Sequence, residues 1–437
     1  MTTLTCVSTL MKNRKAASLL PAQARFAAAQ TSDGQALFFS IGEDGEFYLT
    51  SPRAGSRTGW AFTALTADLA ARHGGRAVTA RTFDVAQDPV SGAISVALTV
   101  RAAGDAADTL YRMAGLSHAP GADWLETAPA RPWVAYPWDD GARPQPALDV
   151  AYLYLASGAA ESPLVAGVRQ PDTSYIQNYT VAPAAPDGAW KVLQTAENYT
   201  RMLDRGIGRA GGARWDGLYE MYTVSDETAL VFTPLGSLFG PPAVTKLAPP
   251  AGASALATTP GQGGTDLYVA GADGLYRWSA AEQTNFAAGT RVVASPLFAG
   301  ATSLQAHATG MELVVWGLNA LGQVFHTRCI AGRAAAAPAW STPVPIATRV
   351  SQLASVVSRS TGGSELFARG EGTTIARLVQ DPVTSLWSGQ DLLLPTLDRG
   401  RTVELITYTT QVNATDASGL PLGPAKLRLS STSPVGV

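Results

Sequence analysis

The residues best suited to binding chemistry are gathered in one stretch, PWVAYPWDDGARPQP, running from Pro132 to Pro146. It places Trp133, Tyr136, Trp138, Asp139 and Asp140 among four prolines and a glycine, so aromatic rings and carboxylates would sit on a stiffened loop. Aromatic faces stack on the C–H faces of small ring compounds while carboxylates accept their hydroxyl hydrogens, which is how proteins hold sugars. A second chemistry needs paired carboxylates near one axis. Asp84, Asp149 and Asp204 fall on or near strands that could supply them, and could equally cap turns or line a solvated channel.

Other chemistries lose support. His73, His118, His307 and His326 show no HxH or HExxH spacing, so no metal site is expected. There is no G-x-S-x-G elbow and no phosphate-binding P-loop. No catalytic residue is assigned, and no cofactor. Cys6 and Cys329 are the only cysteines, too few for a disulfide framework.

Composition narrows the class. The chain has 437 residues and a formal charge of −2, without the basic footprint that nucleic acid requires. Charged residues make up 15% of it, against about 25% in an average domain. With 43 glycines and 28 prolines, long helices are disfavoured and many short strands joined by turns are expected. No stretch is long and apolar enough for a transmembrane helix. Lys12, Arg14 and Lys15 follow the first short apolar stretch instead of preceding it, the wrong order for a secretory signal. The expectation is a cytoplasmic chain, or one exported by a non-classical route as part of a larger protein. Five lysines against 27 arginines, with abundant alanine, suggest a GC-rich and bacterial genome.

The elements that must position these residues repeat along the chain. TDLYVAGADGLYRWSA (Thr265 to Ala280) aligns with MELVVWGLNALGQVFHTRC (Met311 to Cys329) and with SELFARGEGTTIARLV (Ser364 to Val379). Asp266, Glu312 and Glu365 correspond, as do Leu267, Leu313 and Leu366, and Gly271, Gly317 and Gly370. Each copy reads as strand, glycine turn, strand. The alternation puts Leu267 and Val269 on one face and their neighbours on the other, as in a strand buried between two layers. The unit has four strands, for instance SLQAHA, ELVVWG, QVFHTR and an outer strand near Trp340, and four antiparallel strands in 45 to 50 residues is the period of a propeller blade.

Traced backwards, the pattern gives seven units whose inner strands start near Ala24, Ala77, Arg131, Thr200, Gly252, Ala301 and Val350. Trp60, Trp124, Trp190, Trp340 and Trp387 each follow a third strand, where a large ring fills the gap between splayed units. The predicted fold is all-β: an N-terminal extension over 1–23, a seven-bladed β-propeller of four-stranded blades over 24–396, and a C-terminal β hairpin over 397–437.

The segment VVWGLNALGQVFHTRC followed by AWSTPVPI resembles a tectonin-type propeller repeat, with Trp316 and Trp340 at the matching positions. The other copies lack its Trp-Gly pair. Tectonin-like propellers are mostly binding proteins, several of them lectins, so the resemblance implies a non-catalytic module that recognises a glycan or protein on one face. Trp133, Tyr136, Trp138, Asp139, Asp140, Trp316 and Trp340 are the candidate ligand contacts. The tail VELITYTTQVNATDASGLPLG is similar to the first hairpin of an Ig-like or carboxypeptidase-regulatory-like module, implying a piece of a longer modular protein. The alternatives are a propeller hydrolase or lyase with carboxylates on the axis, and a targeting domain of a larger bacterial toxin or surface protein.

Overall fold

A computed structural model describes residues 17–18, 26–30, 36–42, 44–52, 60–66, 69–87, 94–106, 108–116, 133–135, 149–155, 164–169, 176–181, 191–195, 201–210, 214–224, 227–234, 245–261, 264–284, 288–309, 312–329, 339–357, 364–370, 374–381, 387–393, 396–397 and 406–411. They form seven antiparallel sheets of four or five strands, whose first four strands pair in chain order, and one two-stranded sheet. The innermost strands, first in each sheet, are Phe26–Gln30, Val78–Gln87, Asp149–Leu155, Arg201–Ala210, Ala255–Gly261, Ala301–Thr309 and Gln352–Val357.

Innermost strands of successive sheets lie side by side at most steps, and the first sheet's also lies against the seventh's. Side chains tie several of these steps. Between the first two sheets, Gln87 donates to the Gln30 carbonyl at 2.5 Å and accepts from the Gln30 N–H at 2.9 Å. From sixth to seventh, Gln305 donates to the Leu353 carbonyl at 3.0 Å. Phe38 of the first sheet meets Phe367 of the seventh with ring centroids 6.0 Å apart.

The second strand of the fifth sheet, Gly264–Gly271, is buried along its whole length because it has a neighbour on each face. Leu267 and Val269 pack towards the fourth sheet, with Tyr219 and Met221. Tyr268 and Ala270 pack towards the sixth, with Leu313, Val315 and Phe325. One step on, Val314 and Trp316 pack against Leu366 and Ala368 of the seventh sheet. A period-two strand of this kind must be apolar on both faces, which is why charge is scarce in the sequence.

The acidic residue of the repeat is spent inside this packing. Asp266 and Glu365 are 2% and 3% exposed. Asp266 receives Arg277 at 3.0 Å, and Glu365 receives the Arg377 Nη2 at 2.8 Å and Nε at 2.9 Å. Each arginine stands on the third strand opposite the residue two beyond the acid: Arg277 faces Tyr268, and Arg377 faces Phe367. Arg328 holds the same station in the sixth sheet, opposite Val314.

Turns between second and third strands receive the chain as it enters the next sheet. The Gly45 carbonyl accepts from the Ala80 N–H at 2.7 Å, and the Gly322 carbonyl from the Val350 N–H at 2.9 Å. Both glycines have positive φ, +77° and +72°. A Cβ on Gly45 would stand 2.7 Å from Thr79 Cγ2, whereas one on Gly104, at φ +87°, would meet nothing within 4 Å. Gly104→Ala is therefore expected to lose about 1–2 kcal/mol for the left-handed backbone alone, and Gly45→Ala about 1–3 kcal/mol more for the clash. Thermal denaturation of both variants measures the difference, and equal losses would refute this docking role.

One expectation is corrected. The third innermost strand begins at Asp149, not near Arg131, because Val134–Ala135 is the outer strand of the second sheet, paired with Tyr111 and Arg112. The long interval thus lies between the second and third sheets. At the C-terminus, Ile406–Gln411 joins the edge of the seventh sheet as its fifth strand, in register with Ser388 to Leu393. The remainder of the expected hairpin lies outside the described residues, while Ala17–Ser18 of the N-terminal extension pairs with Thr396–Leu397.

Candidate functional site

The described residues enclose a cavity of about 420 Å³ where the innermost strands of the first, sixth and seventh sheets converge. It lies near the end from which these strands start: Phe26, Ala27 and Ala28 open the first, Thr302 and Ser303 the sixth, and Ser351, Gln352 and Leu353 the seventh. Gln305, Leu318 and Ala354 complete the wall. In an antiparallel sheet this is also the end carrying the second-to-third turns and the connections to the next sheet.

Among the described residues the lining is polar without charge. Three hydroxyls, from Thr302, Ser303 and Ser351, and two amides, from Gln305 and Gln352, are set among apolar walls. Thr302 is oriented by donating to the Leu318 carbonyl at 3.2 Å. Gln352 Oε1 is buried and accepts no hydrogen bond. Among the described residues, no Asp or Glu lines the cavity. Asp84, Asp149 and Asp204 do fall on innermost strands, of the second, third and fourth sheets.

The expected contact residues divide three ways. Trp133 is fully buried, immediately before the outer strand of the second sheet, and donates from Nε1 to the Leu65 carbonyl of the first sheet at 2.6 Å. Its ring is edge-on to Phe47 and Tyr111. Trp316 is also fully buried, in the core between the sixth and seventh sheets, with its ring 5.1 Å from that of His326. A side chain without exposed surface offers none to a ligand, so the ligand role expected of these two tryptophans is replaced by packing.

Trp340 is half-buried. It bridges Cys329 across the sixth sheet and meets Tyr268 of the fifth edge-on at 5.9 Å. Trp133 and Trp340 therefore share a device, an indole ahead of an outer strand leaning on the preceding sheet. Tyr136, Trp138, Asp139 and Asp140 lie outside the described residues, between Ala135 and Asp149.

Histidines and cysteine have structural positions. His73 meets the Tyr111 hydroxyl at 2.8 Å. His326 is buried, and so is the Cys329 thiol. Among the described residues no three His, Cys, Asp or Glu side chains cluster to hold a metal ion. Among them, too, no helix is long and apolar enough to cross a membrane. The cavity residues gave no signal in the sequence, because single Ser, Thr and Gln residues on strands are too common to mark a site.

No protein-family model matches the chain, and no curated protein matches it in sequence. Among solved structures it is similar to the WD40 domain of SCAP from fission yeast, with 10% identity, 91% of this chain and 95% of that one covered, and a TM-score of 0.49. It is also similar to the fucose-recognising six-bladed β-propeller lectin of Aleuria aurantia, with 11% identity, 88% and 100% covered, and a TM-score of 0.42. A third is the Dos1 propeller, with 8% identity, 94% and 96% covered, and a TM-score of 0.43.

Proposed function

We propose that the chain is a seven-bladed β-propeller that binds a glycan or protein, without catalysis, on the end from which its innermost strands start. The observation that carries this reading is the cavity at that end, whose described wall residues bear hydroxyl and amide hydrogen-bonding groups and include no Asp, Glu, His, Lys, Arg or Cys. The seven sheets in chain order, with the first against the last, support the blade count. The segment holding Tyr136, Trp138, Asp139 and Asp140 joins an outer strand to the next innermost strand, so its anchor points Ala135 and Asp149 belong to that same end. Trp340 stands beside Cys329, the last residue of the third strand, and so belongs to the opposite end and is left out of this surface.

A glycan array probed with the whole chain tests the reading. Trp138→Ala and Asp139→Ala are each expected to weaken the strongest signal about tenfold or more, the worth of one stacked ring or charged hydrogen bond. Unchanged signals in both variants would remove this loop from the binding surface.

A further inference from the structure

We infer that Ala17–Ser18 and Thr396–Leu397 form a clasp that holds the first sheet to the seventh, in place of the chain connection which that one step lacks. The clasp is independent of what the chain binds.

Each of the seven larger sheets is built from one continuous stretch of chain, so none takes strands from both flanks of the set. Six steps from sheet to sheet are therefore also covalent: the chain leaves a fourth strand and enters the next innermost strand at the same end. The step from seventh back to first has no such link, because the chain runs from first to seventh and never returns. The fourth strand of the seventh sheet stops at Leu393, opposite Thr374, and the innermost strand of the first sheet starts at Phe26. Both points lie at the end that carries the cavity. There Ala17 pairs with Leu397 and Ser18 with Thr396 in antiparallel fashion. The paired segments come just before the one strand and just after the other, where a connection between the two sheets would run.

The sequence sets the clasp apart from the ladders beside it. Pro395 directly precedes Thr396 and has no N–H with which to continue the fourth strand, and Pro21 interrupts the chain between Ser18 and Phe26 in the same way. Elsewhere the seam is held by side chains, Phe38 against Phe367. Cavity walls come from both sides of it, Phe26 to Ala28 on one and Ser351 to Ala354 on the other, so the clasp also sets how far apart those walls stand. A pairing of two residues on each side can open without unfolding either sheet.

The test is a reversible covalent clasp. Opposed residues of an antiparallel pair have Cα atoms about 4.5–5.5 Å apart, within the roughly 4.4–6.8 Å that a disulfide spans. Ala17→Cys with Leu397→Cys, in the full chain carrying Cys6→Ala so that buried Cys329 is the only other thiol, is expected to form the bridge on mild oxidation, identified by peptide mass. Amide hydrogen exchange in Phe26–Gln30 and Gln352–Val357 is expected to be about tenfold slower or more in the oxidised than in the reduced form. In a second variant, Ala17→Pro with Ser18→Pro, which removes both donors of the N-terminal segment, the same amides are expected to exchange about tenfold faster than in the parent. Both changes are expected to be several-fold larger at these strands than in Arg201–Ala210 of the fourth sheet, far from the seam.

Failure of the bridge to form would show that the two segments do not meet, and would overturn the inference. So would equal changes at the seam and in the fourth sheet, or unchanged exchange at the seam in either variant. Circular dichroism establishes that each variant is folded. Should the proline variant unfold, the reduced and oxidised forms of the cysteine variant decide alone.

Discussion

Replacing Arg377 by methionine is expected to destabilise the chain by about 3–5 kcal/mol, the typical loss when one partner of a buried ion pair is removed. Glu365 is 3% exposed, and Arg377 donates to it from both Nη2 and Nε. Without the arginine its carboxylate must remain ionised and unpaired inside the seventh sheet or be protonated, and either is costly. Replacing both partners, Glu365→Leu with Arg377→Met, removes the charge altogether. That variant is expected to stay within about 1–2 kcal/mol of the parent, since well-packed apolar pairs of similar volume substitute for buried ion pairs at little loss. Urea denaturation of the parent, both single variants and the double variant closes the cycle. A double variant as unstable as Arg377→Met would show that packing of the arginine stem, and not the charge, is what the sheet needs. The same contrast applies at Asp266 and Arg277, where the acid is equally buried.

Acid is expected to weaken the protein through His326. The ring is 3% exposed. Burial lowers its pKa from 6.5 to about 3, helped by the nearby Arg328 charge and opposed by a hydrogen bond to the Val344 backbone. In the unfolded chain the same imidazole takes up a proton near pH 6.5. The contribution is therefore complete above that value and is lost as pH falls towards 3, because the unfolded state binds a proton that the folded state refuses. Between pH 7 and pH 4 this one residue should remove roughly 3 kcal/mol. Other carboxylates also titrate there, so the measurement is the difference between the parent and His326→Phe, which retains a flat ring. The slope of stability against pH should be shallower in the variant over this window. Parallel slopes would mean that His326 is protonated, or reached by water, in the folded protein.

The shared glycine of the repeat illustrates what alignment can and cannot say. Gly271 and Gly317 occupy equivalent positions after the same Leu-x-Val alternation. Gly271 pairs with Gly274 in a tight turn, while the sixth sheet continues for two more residues and Gly317 faces Phe325. A Cβ on Gly317 would be 2.2 Å from Phe325 Cζ, so there the glycine makes room for a ring that packs edge-on against Phe298. A ring also stands over Gly271, where a Cβ would be 3.0 Å from Tyr276 Cε2, so the letter recurs with a related cause while the length of the hairpin, which the letter does not report, differs.

The tryptophans make the same point for the site. In the sequence Trp133 belongs to the aromatic, proline-rich stretch and Trp316 to the Trp-Gly pair, and both look available for a ligand. Whether an indole is covered depends on the neighbouring sheet, here Leu65 and Phe47 for the first and Leu366 and Ala368 for the second. A strand's own alternation identifies its two faces and is silent on what fills the space beyond them.

Local rules acting within about fifty residues were legible: antiparallel strands, glycine turns and two buried faces leave an imprint on the order of side chains. The sequence by itself determined the all-β class, the repeating unit and the scarcity of charge. Only the tertiary structure decided that Asp266 and Glu365 are neutralised within their own sheets, that Trp133 is core, and that Gln352 meets Phe26 and Ser303 around one cavity. The physical reason is range. Hydrogen-bonded hairpins are fixed by neighbours in the chain, whereas a site on the inner wall joins residues hundreds of positions apart, which the chain brings together only when its first sheet packs against its last.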